Sequence, residues 1–239
     1  MNSYSYLASF YDSFTGDINY CEFADFYERV FSENPGEYRL ILDLCCGTGT
    51  LTEIMAGRGY DMTAVDSSYE MLMAAREKLS AISPSPLLLC QEAEELDLYG
   101  TVDAAYSSLD SFNYLSPDNI GAVLKRLFLF IRPGGMLIFD IHSPEWMEKL
   151  SGQVFVDETE DALCLWRADF SDGVLNYSMD IFSSAGELWE REQEEHTEYA
   201  YSNDRISALL RDSGFSDIRF YDHVLSGEAD RIFVSCKRK

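Results

Sequence analysis

Leu40-Ile41-Leu42-Asp43-Leu44-Cys45-Cys46-Gly47-Thr48-Gly49-Thr50 is the stretch that decides the fold. An apolar strand runs into a short loop with two glycines. A helix of about ten residues follows at once and stops at Gly57-Arg58-Gly59. Glycines let backbone approach a ligand closely, and the first turn of a helix presents free N–H groups. Gly47-x-Gly49 alone is a weak signal, but its place between a strand and a helix makes it a ligand loop. In a dinucleotide loop, G-x-G-x-x-G, a third glycine would stand where this chain has Thr52. Asp43, just before the loop, suits a cationic ammonium group. Asp66 ends the next strand, where an acid accepts hydrogen bonds from ribose hydroxyls. Two acids with no phosphate-binding Lys or Arg fit a nucleoside carrying an amino acid better than a pyrophosphate.

Outward from the loop, strands and helices alternate. Asp61 to Val65 reads as a second strand, ending in Asp66. Ser67 with Glu70 reads as a capping box for a helix over Ser68 to Leu79. Leu87 to Cys90 and Asp103 to Ser107 read as a third and a fourth strand. Ser116-Pro117 predicts the start of a helix with a buried face of Leu124, Leu127, Phe128 and Ile131, stopped by Pro133-Gly134-Gly135. Met136 to Ile141 reads as a fifth strand. Near the C-terminus a helix over Asn203 to Ser213 precedes two strands, Ile218 to Val224 and Ile232 to Cys236, which can pair as a hairpin. Before the loop, apolar residues from Tyr20 to Phe31 recur at helical spacing in a segment rich in aromatics. This order implies an α/β fold with a parallel sheet, helices on both faces and an antiparallel edge.

Gln153 to Tyr201 breaks the rhythm. Short alternating runs joined by Ser171-Asp172-Gly173 and Ser184-Ala185-Gly186 predict three or four antiparallel strands inserted after the fifth. From Leu188 to Glu198 one face carries Glu190, Glu192, Glu194, His196 and Glu198. Such an acidic face is ordinarily solvated; the sharper alternative is a lid or dimer surface that attracts cationic substrates.

Composition narrows the partners. The 239 residues hold 18 Lys+Arg against 42 Asp+Glu, a net charge of −24, and the pI is about 4.3. Such a surface repels phosphate backbones and anionic membranes, so nucleic acid and membrane partners are set aside. With 46% hydrophobic residues the chain has material for a core. No apolar run approaches the roughly 20 residues of a membrane span. The six cysteines form no C-x-x-C pair, and the three histidines, His142, His196 and His223, fall in separate elements, so no metal is expected. His196 reads as a sheet residue among carboxylates and His223 as structural. The expected protein is soluble and cytoplasmic with reduced thiols, a monomer or a homodimer, acting on a neutral or cationic small molecule.

Leu42-Asp43-Leu44-Cys45-Cys46-Gly47-Thr48-Gly49 resembles the first motif of class I S-adenosylmethionine (SAM)-dependent methyltransferases. Further segments resemble a bacterial small-molecule subgroup: Tyr4-x-x-Leu7-Ala8-x-Phe10-Tyr11-Asp12, Leu109-Asp110-Ser111-Phe112-Asn113-Tyr114-Leu115, Pro133-Gly134-Gly135 before Phe139-Asp140-Ile141, and Glu194-x-His196-x-Glu198 with Tyr201. Sugar-amine N-methyltransferases share this plan, inserted sheet included. The resemblance implies a Rossmann-like seven-stranded sheet in the order 3-2-1-4-5-7-6 with strand 7 antiparallel. It divides the chain into an N-terminal helical cap (1–35), a SAM-binding core (36–150 and 202–239) and an inserted antiparallel sheet (151–201).

By motif position, Asp43, Cys45, Gly47, Thr48 and Gly49 would line the methionine part of SAM. Asp66 would hold the ribose, with Ser67 and Met71 beside the adenine and Glu92 and Ala93 flanking it. Ser107 and Ser108 would lie near the methionine end, and Tyr11 would close over the ligand. Asp110, Tyr114 and His142 would face the acceptor as the catalytic set. The family's first loop glycine is Cys45 here, which fits if its φ is negative. Glu92 stands where relatives have Asp, and Tyr199 where a basic residue is expected. The loop leaves two alternatives open, a nicotinamide-dependent oxidoreductase and a SAM-binding module without catalysis.

Overall fold

In the computed structural model, which describes residues 6–186, 188–226 and 230–239, the strand that opens the loop lies at the middle of a seven-stranded sheet. β1 (Leu40–Leu44) pairs in parallel with β2 (Asp61–Asp66) on one side and β4 (Val102–Ser107) on the other. β3 (Leu87–Cys90) lies beyond β2, and β5 (Ile131–His142) beyond β4. The next four strands, β6 (Val154–Glu158), β7 (Ala162–Ser171), β8 (Val174–Ala185) and β9 (Leu188–Tyr199), form a separate antiparallel sheet. β10 (Phe215–Tyr221) and β11 (Arg231–Arg238) then complete the first sheet, β11 antiparallel to β5. The order 3-2-1-4-5-11-10 is the expected one, β10 being the sixth core strand and β11 the seventh. Tyr4, quoted in the N-terminal motif, lies outside the described residues.

Side chains alternate across the strands, so each strand feeds two cores. Leu42, Leu44, Leu137, Phe139 and Ile141 face α5 (Ile120–Phe130) and α7 (Asn203–Asp212). Ile41, Tyr106, Ile138 and Phe233 face α2 (Tyr20–Ser32) and α3 (Thr50–Gly57). α2 buries Phe23, Phe26, Tyr27, Val30 and Phe31, the aromatic stripe that its spacing predicts. α1 (Tyr11–Phe14), α4 (Tyr69–Leu79) and α6 (Pro144–Leu150) complete the helices longer than a 3₁₀ turn. The Ser143-Pro144 start of α6 carries its own capping signal, with Ser143 Oγ accepting from Trp146 N and Pro144 at the first helical position.

Three local expectations change. The cap of α4 is Ser68, not Ser67, because Asp66 Oδ1 accepts from Ser68 N and this turn delays the helix by a residue; Ser68 Oγ then accepts from Met71 N. α5 begins at Ile120, after a turn closed by Ser116 O, so Ser116-Pro117 marks the turn rather than the cap. Pro133-Gly134-Gly135 does not precede the fifth strand but lies inside it. Opposite the step from Val102 to Ala104 the β5 partner jumps from Ile131 to Met136, a bulge that loops these residues out. A Cβ on Gly135 would sit 2.6 Å from Asp103 O and 2.8 Å from Arg132 O, backbone atoms that cannot swing away. Gly135→Ala is therefore expected to destabilise the fold by about 1–3 kcal/mol, read as a lower urea midpoint; an unchanged midpoint would mean that the bulge relaxes freely.

The inserted sheet departs from expectation on its acidic strand. The turn between β7 and β8 has positive φ at both Asp172 and Gly173, the geometry of a two-residue hairpin. β9 pairs with β8 so that Glu194, His196 and Glu198 lie opposite Met179, Tyr177 and Leu175. Register thus carries the inner half of the acidic face under the fold: these three are buried, whereas Glu190 is exposed. Leu7 packs on the same sheet with Cys164, Met179 and Ile181, which brings the N-terminal segment onto it.

Candidate functional site

The carboxyl ends of β1, β2 and β4 open into a cavity of about 390 Å³, within the range of small-molecule sites. Its floor is the glycine loop. Cys45 has φ +60°, so the positive φ that the family's glycine serves is adopted here by a cysteine, contrary to the expected negative value. Burial pushes its thiol up, so it is no thiolate nucleophile. Gly47 (φ +53°) has open space where a Cβ would stand, so the missing side chain leaves room in the cavity.

Two acids frame this floor. Asp43 is 2% exposed, and its Oδ2 accepts from Thr52 Oγ1 at 2.5 Å and Tyr106 OH at 3.0 Å. Thr52 thus has a role that a glycine could not perform. Burial pushes the Asp43 carboxyl up to about 7, although the two hydrogen bonds pull it down. Asp66 Oδ2 accepts from Gly47 N at 2.8 Å; burial outweighs its backbone hydrogen bonds and raises it too. A buried acid near its titration point favours a cationic neighbour.

The N-terminal segment forms the roof. Asp12 Oδ1 accepts from Thr48 Oγ1 at 2.5 Å, and Asp12 Oδ2 lies 2.8 Å from Lys78 Nζ. This latch sets Tyr11 on the cavity wall, where burial raises its phenol. Tyr20 and Tyr114 line the same cavity.

A second polar cluster sits behind this wall. Leu109 and Asp110 both have positive φ, and Asp110 N donates to Asp140 Oδ2. Arg231 Nη1 donates to Asp110 Oδ1 at 2.8 Å and to Asp140 Oδ2 at 2.5 Å, while its Nη2 lies 3.2 Å from His142 Nε2. Burial alone would raise Asp110, but His142 and Arg231 outweigh it and hold its carboxyl below the usual range. Burial raises Asp140 despite Arg231. The His142 ring stacks on Trp146, with centroids 3.6 Å apart.

The structure sorts the residues named from sequence. Asp43, Cys45, Gly47 and Thr48 line the cavity, as do Asp66, Ser67 and Met71. So do Glu92, Ala93, Ser108, Tyr11 and Tyr114. Gly49, Ser107, Asp110 and His142 do not belong to its lining. Gly49 instead lets α3 approach α4, for a Cβ there would meet Ala75 Cβ at 3.0 Å. Tyr20, which follows the N-terminal motif and reads as wall or core, lines the cavity too, as do Gln91 and Glu94, which no motif marks.

A seven-stranded sheet in this order, with an acid-framed glycine loop at the carboxyl ends, defines the Rossmann-like methyltransferase fold. The family model described as a methyltransferase domain matches residues 41–135. YqeM of Bacillus subtilis, which carries the name of a methyltransferase, is 30% identical over 244 residues, covering 98% of this chain and 97% of that protein. The chain belongs to the SAM-dependent methyltransferases, not to the nicotinamide oxidoreductases that the loop had left open. Among solved structures, a SAM-dependent methyltransferase from Clostridium acetobutylicum matches with a TM-score of 0.86 and 29% identity over 99% of both chains. The sugar N-methyltransferase KedS8 from Streptoalloteichus shares the fold, with a TM-score of 0.84 at 20% identity over 100% of this chain and 96% of that one. Among the described residues no helix is long and apolar enough to cross a membrane.

Proposed function

We propose that this methyltransferase acts on a small-molecule acceptor, neutral or cationic, bound beside Tyr114 at the wall of the cavity. The observation that carries this is the cavity itself: walled by Tyr11, framed by Asp43 and Asp66, and too small for a macromolecule to enter bodily. KedS8 is by its name a sugar N-methyltransferase, and this chain shares its fold over 96% of that protein's length. SAM supplies a methyl group on a sulfonium, already activated for in-line displacement. The protein's part is to align the acceptor and exclude water, worth up to roughly 7–11 kcal/mol. Asp43 would pair with the ammonium of the methionine part, Asp66 with the ribose, and Ser67, Met71, Glu92 and Ala93 would surround the adenine. Cys45, Gly47, Thr48 and Gly49 would shape the loop, and Ser107 and Ser108 the methionine end. Asp110 and His142, braced by Arg231, would set the far side of the acceptor site. We assign the protein to the cytoplasm, where its six free thiols suit a reducing compartment, as a monomer or homodimer.

Incubation of the enzyme and labelled SAM with a whole-cell extract tests the acceptor class. Label is expected in the dialysable fraction. Label confined to protein or nucleic acid would sink the assignment.

Asp43 also gives a pH signature. Its folded carboxyl is raised from 3.8 to about 7, so in the ligand-free protein its contribution to stability is full below 3.8 and is lost as pH rises through about 7. The ionised form is the one that pairs with an ammonium. Affinity for SAM and for S-adenosylhomocysteine (SAH) is therefore expected to rise between about pH 6 and 8, with proton release on binding. Calorimetry in buffers of different ionisation heat checks this. Constant affinity and no proton release would remove Asp43 from the ammonium.

A further inference from the structure

Tyr114 reaches from the cavity wall into the buried half of the acidic strand. Its hydroxyl lies 3.3 Å from His196 Nδ1, and His196 Nε2 lies 3.0 Å from Glu194 Oε2. Glu194 Oε1 accepts from Tyr6 N at 2.6 Å and Leu7 N at 3.0 Å. Burial works against the Glu194 charge, yet these hydrogen bonds and His196 outweigh it and hold the carboxyl below its ordinary value. Glu194 is thus ionised near neutral pH and can only accept, so His196 Nε2 carries the proton. In a neutral imidazole Nδ1 is then bare, and the Tyr114 hydroxyl donates to it. The other groups around this line are Tyr177, opposite His196 on β8, and Glu198, whose buried carboxyl is raised well above its ordinary value by desolvation and by Asp110 and shares a hydrogen bond with Tyr114; in its protonated form Glu198 donates to the Tyr114 oxygen and leaves the Tyr114 proton for His196. Arg231 contributes positive charge from β11. The His196 side chain has no solvent exposure, so Tyr114 is its link to the cavity.

We propose that Tyr114, His196 and Glu194 form a proton-accepting triad for an acceptor N–H. The proposal rests on the reading that the acceptor binds in this cavity. The acceptor nitrogen's lone pair forms the new N–C bond as the S–C bond breaks, and the S–C electron pair neutralises the sulfonium. The acceptor's proton passes to the Tyr114 oxygen while the Tyr114 proton moves to His196 Nδ1. Glu194 holds the resulting imidazolium. Tyr114 is the catalytic residue; His196 and Glu194 act through it.

The test needs no known acceptor. Protein labelled with ¹⁵N-histidine and saturated with SAH is studied by NMR. It has three histidines, and His196 is assigned by the signals lost in His196→Gln. The triad predicts a proton on Nε2 and a bare, hydrogen-bonded Nδ1. In Tyr114→Phe the Nδ1 signal should move toward that of an unbonded nitrogen. Exchange of the ring protons with water should slow, because the link to the cavity is cut. A tyrosine that merely plugs the site would give the opposite sign, faster exchange once its hydroxyl is gone. A proton on Nδ1, or exchange that is unchanged or faster in Tyr114→Phe, overturns the triad. If Tyr114→Phe fails to fold, Glu194→Gln decides. The triad predicts that the Nδ1–H tautomer then appears, and an unaltered tautomer overturns it. Failure of SAH to bind would instead count against the cavity reading, while the tautomer still reports on the triad.

Discussion

Arg231→Met is expected to lower the unfolding free energy by about 3–5 kcal/mol, the cost of stranding buried carboxylates when one partner of an ionic cluster is removed. Arg231 is 6% exposed and Asp140 fully buried, and one guanidinium serves both Asp140 and Asp110. Methionine fills the volume but donates nothing, so the strained Leu109-Asp110 turn loses its brace. Arg231→Lys should recover only part of the loss, because an ammonium lacks the planar fork. The deficit should shrink as pH falls and the stranded carboxylates take up protons. Urea unfolding of the three proteins at neutral and acid pH checks all three statements. A deficit of less than about 1 kcal/mol at neutral pH would mean that water reaches the cluster.

Asp43→Asn is expected to leave the protein folded and to weaken SAM and SAH binding by about a hundredfold, as loss of a charge-assisted hydrogen bond would. Asparagine matches aspartate in volume and its amide oxygen still accepts from Thr52 and Tyr106, so the core contacts survive. What it loses is the charge. Asp43→Ala would remove the contacts as well and confound binding with stability. Calorimetric titration beside a melting curve separates the two. Normal affinity in a folded Asp43→Asn protein would show that the donor's ammonium rests elsewhere. Retention of the pH dependence in that variant would point to Asp66, the other raised carboxyl on the cavity.

The core sheet was legible because each strand is a local apolar run and each turn carries its own chemistry. Leu40 to Leu44 and the loop after it are read within ten residues, and the parallel order follows from the alternation of strands and helices. What escaped depends on contacts distant in sequence. Nothing around Arg231 announces a bond to Asp110, 121 residues earlier. Glu194 and Glu198 look like surface residues on an alternating strand until the β8–β9 register turns that face inward. Pro133-Gly134-Gly135 reads as punctuation, and only the jump in pairing shows it as a bulge within a strand. The sequence places Asp110 after β4 and His142 at the end of β5, but nothing in it shows that Arg231 ties them together behind the cavity wall.

The carboxylate of Glu194 grips the backbone of Tyr6 and Leu7 across 188 and 187 residues of chain, and Phe23 on α2 packs against Phe233 on β11 with centroids 5.5 Å apart. Both ends of the molecule are thus needed to seat its first helices. During synthesis the glycine loop and the Asp12 latch to Thr48 and Lys78 leave the ribosome early, but Glu194 and Phe233, which also hold the roof segment, follow only with the inserted sheet and the final strand. Closing such loops carries an entropic cost that only late contacts offset, which makes the nascent chain a slow folder with an open, acidic trough. A partial chain would hold the cavity floor and the Asp12 latch and still lack the Glu194 and Phe233 contacts that seat the roof segment.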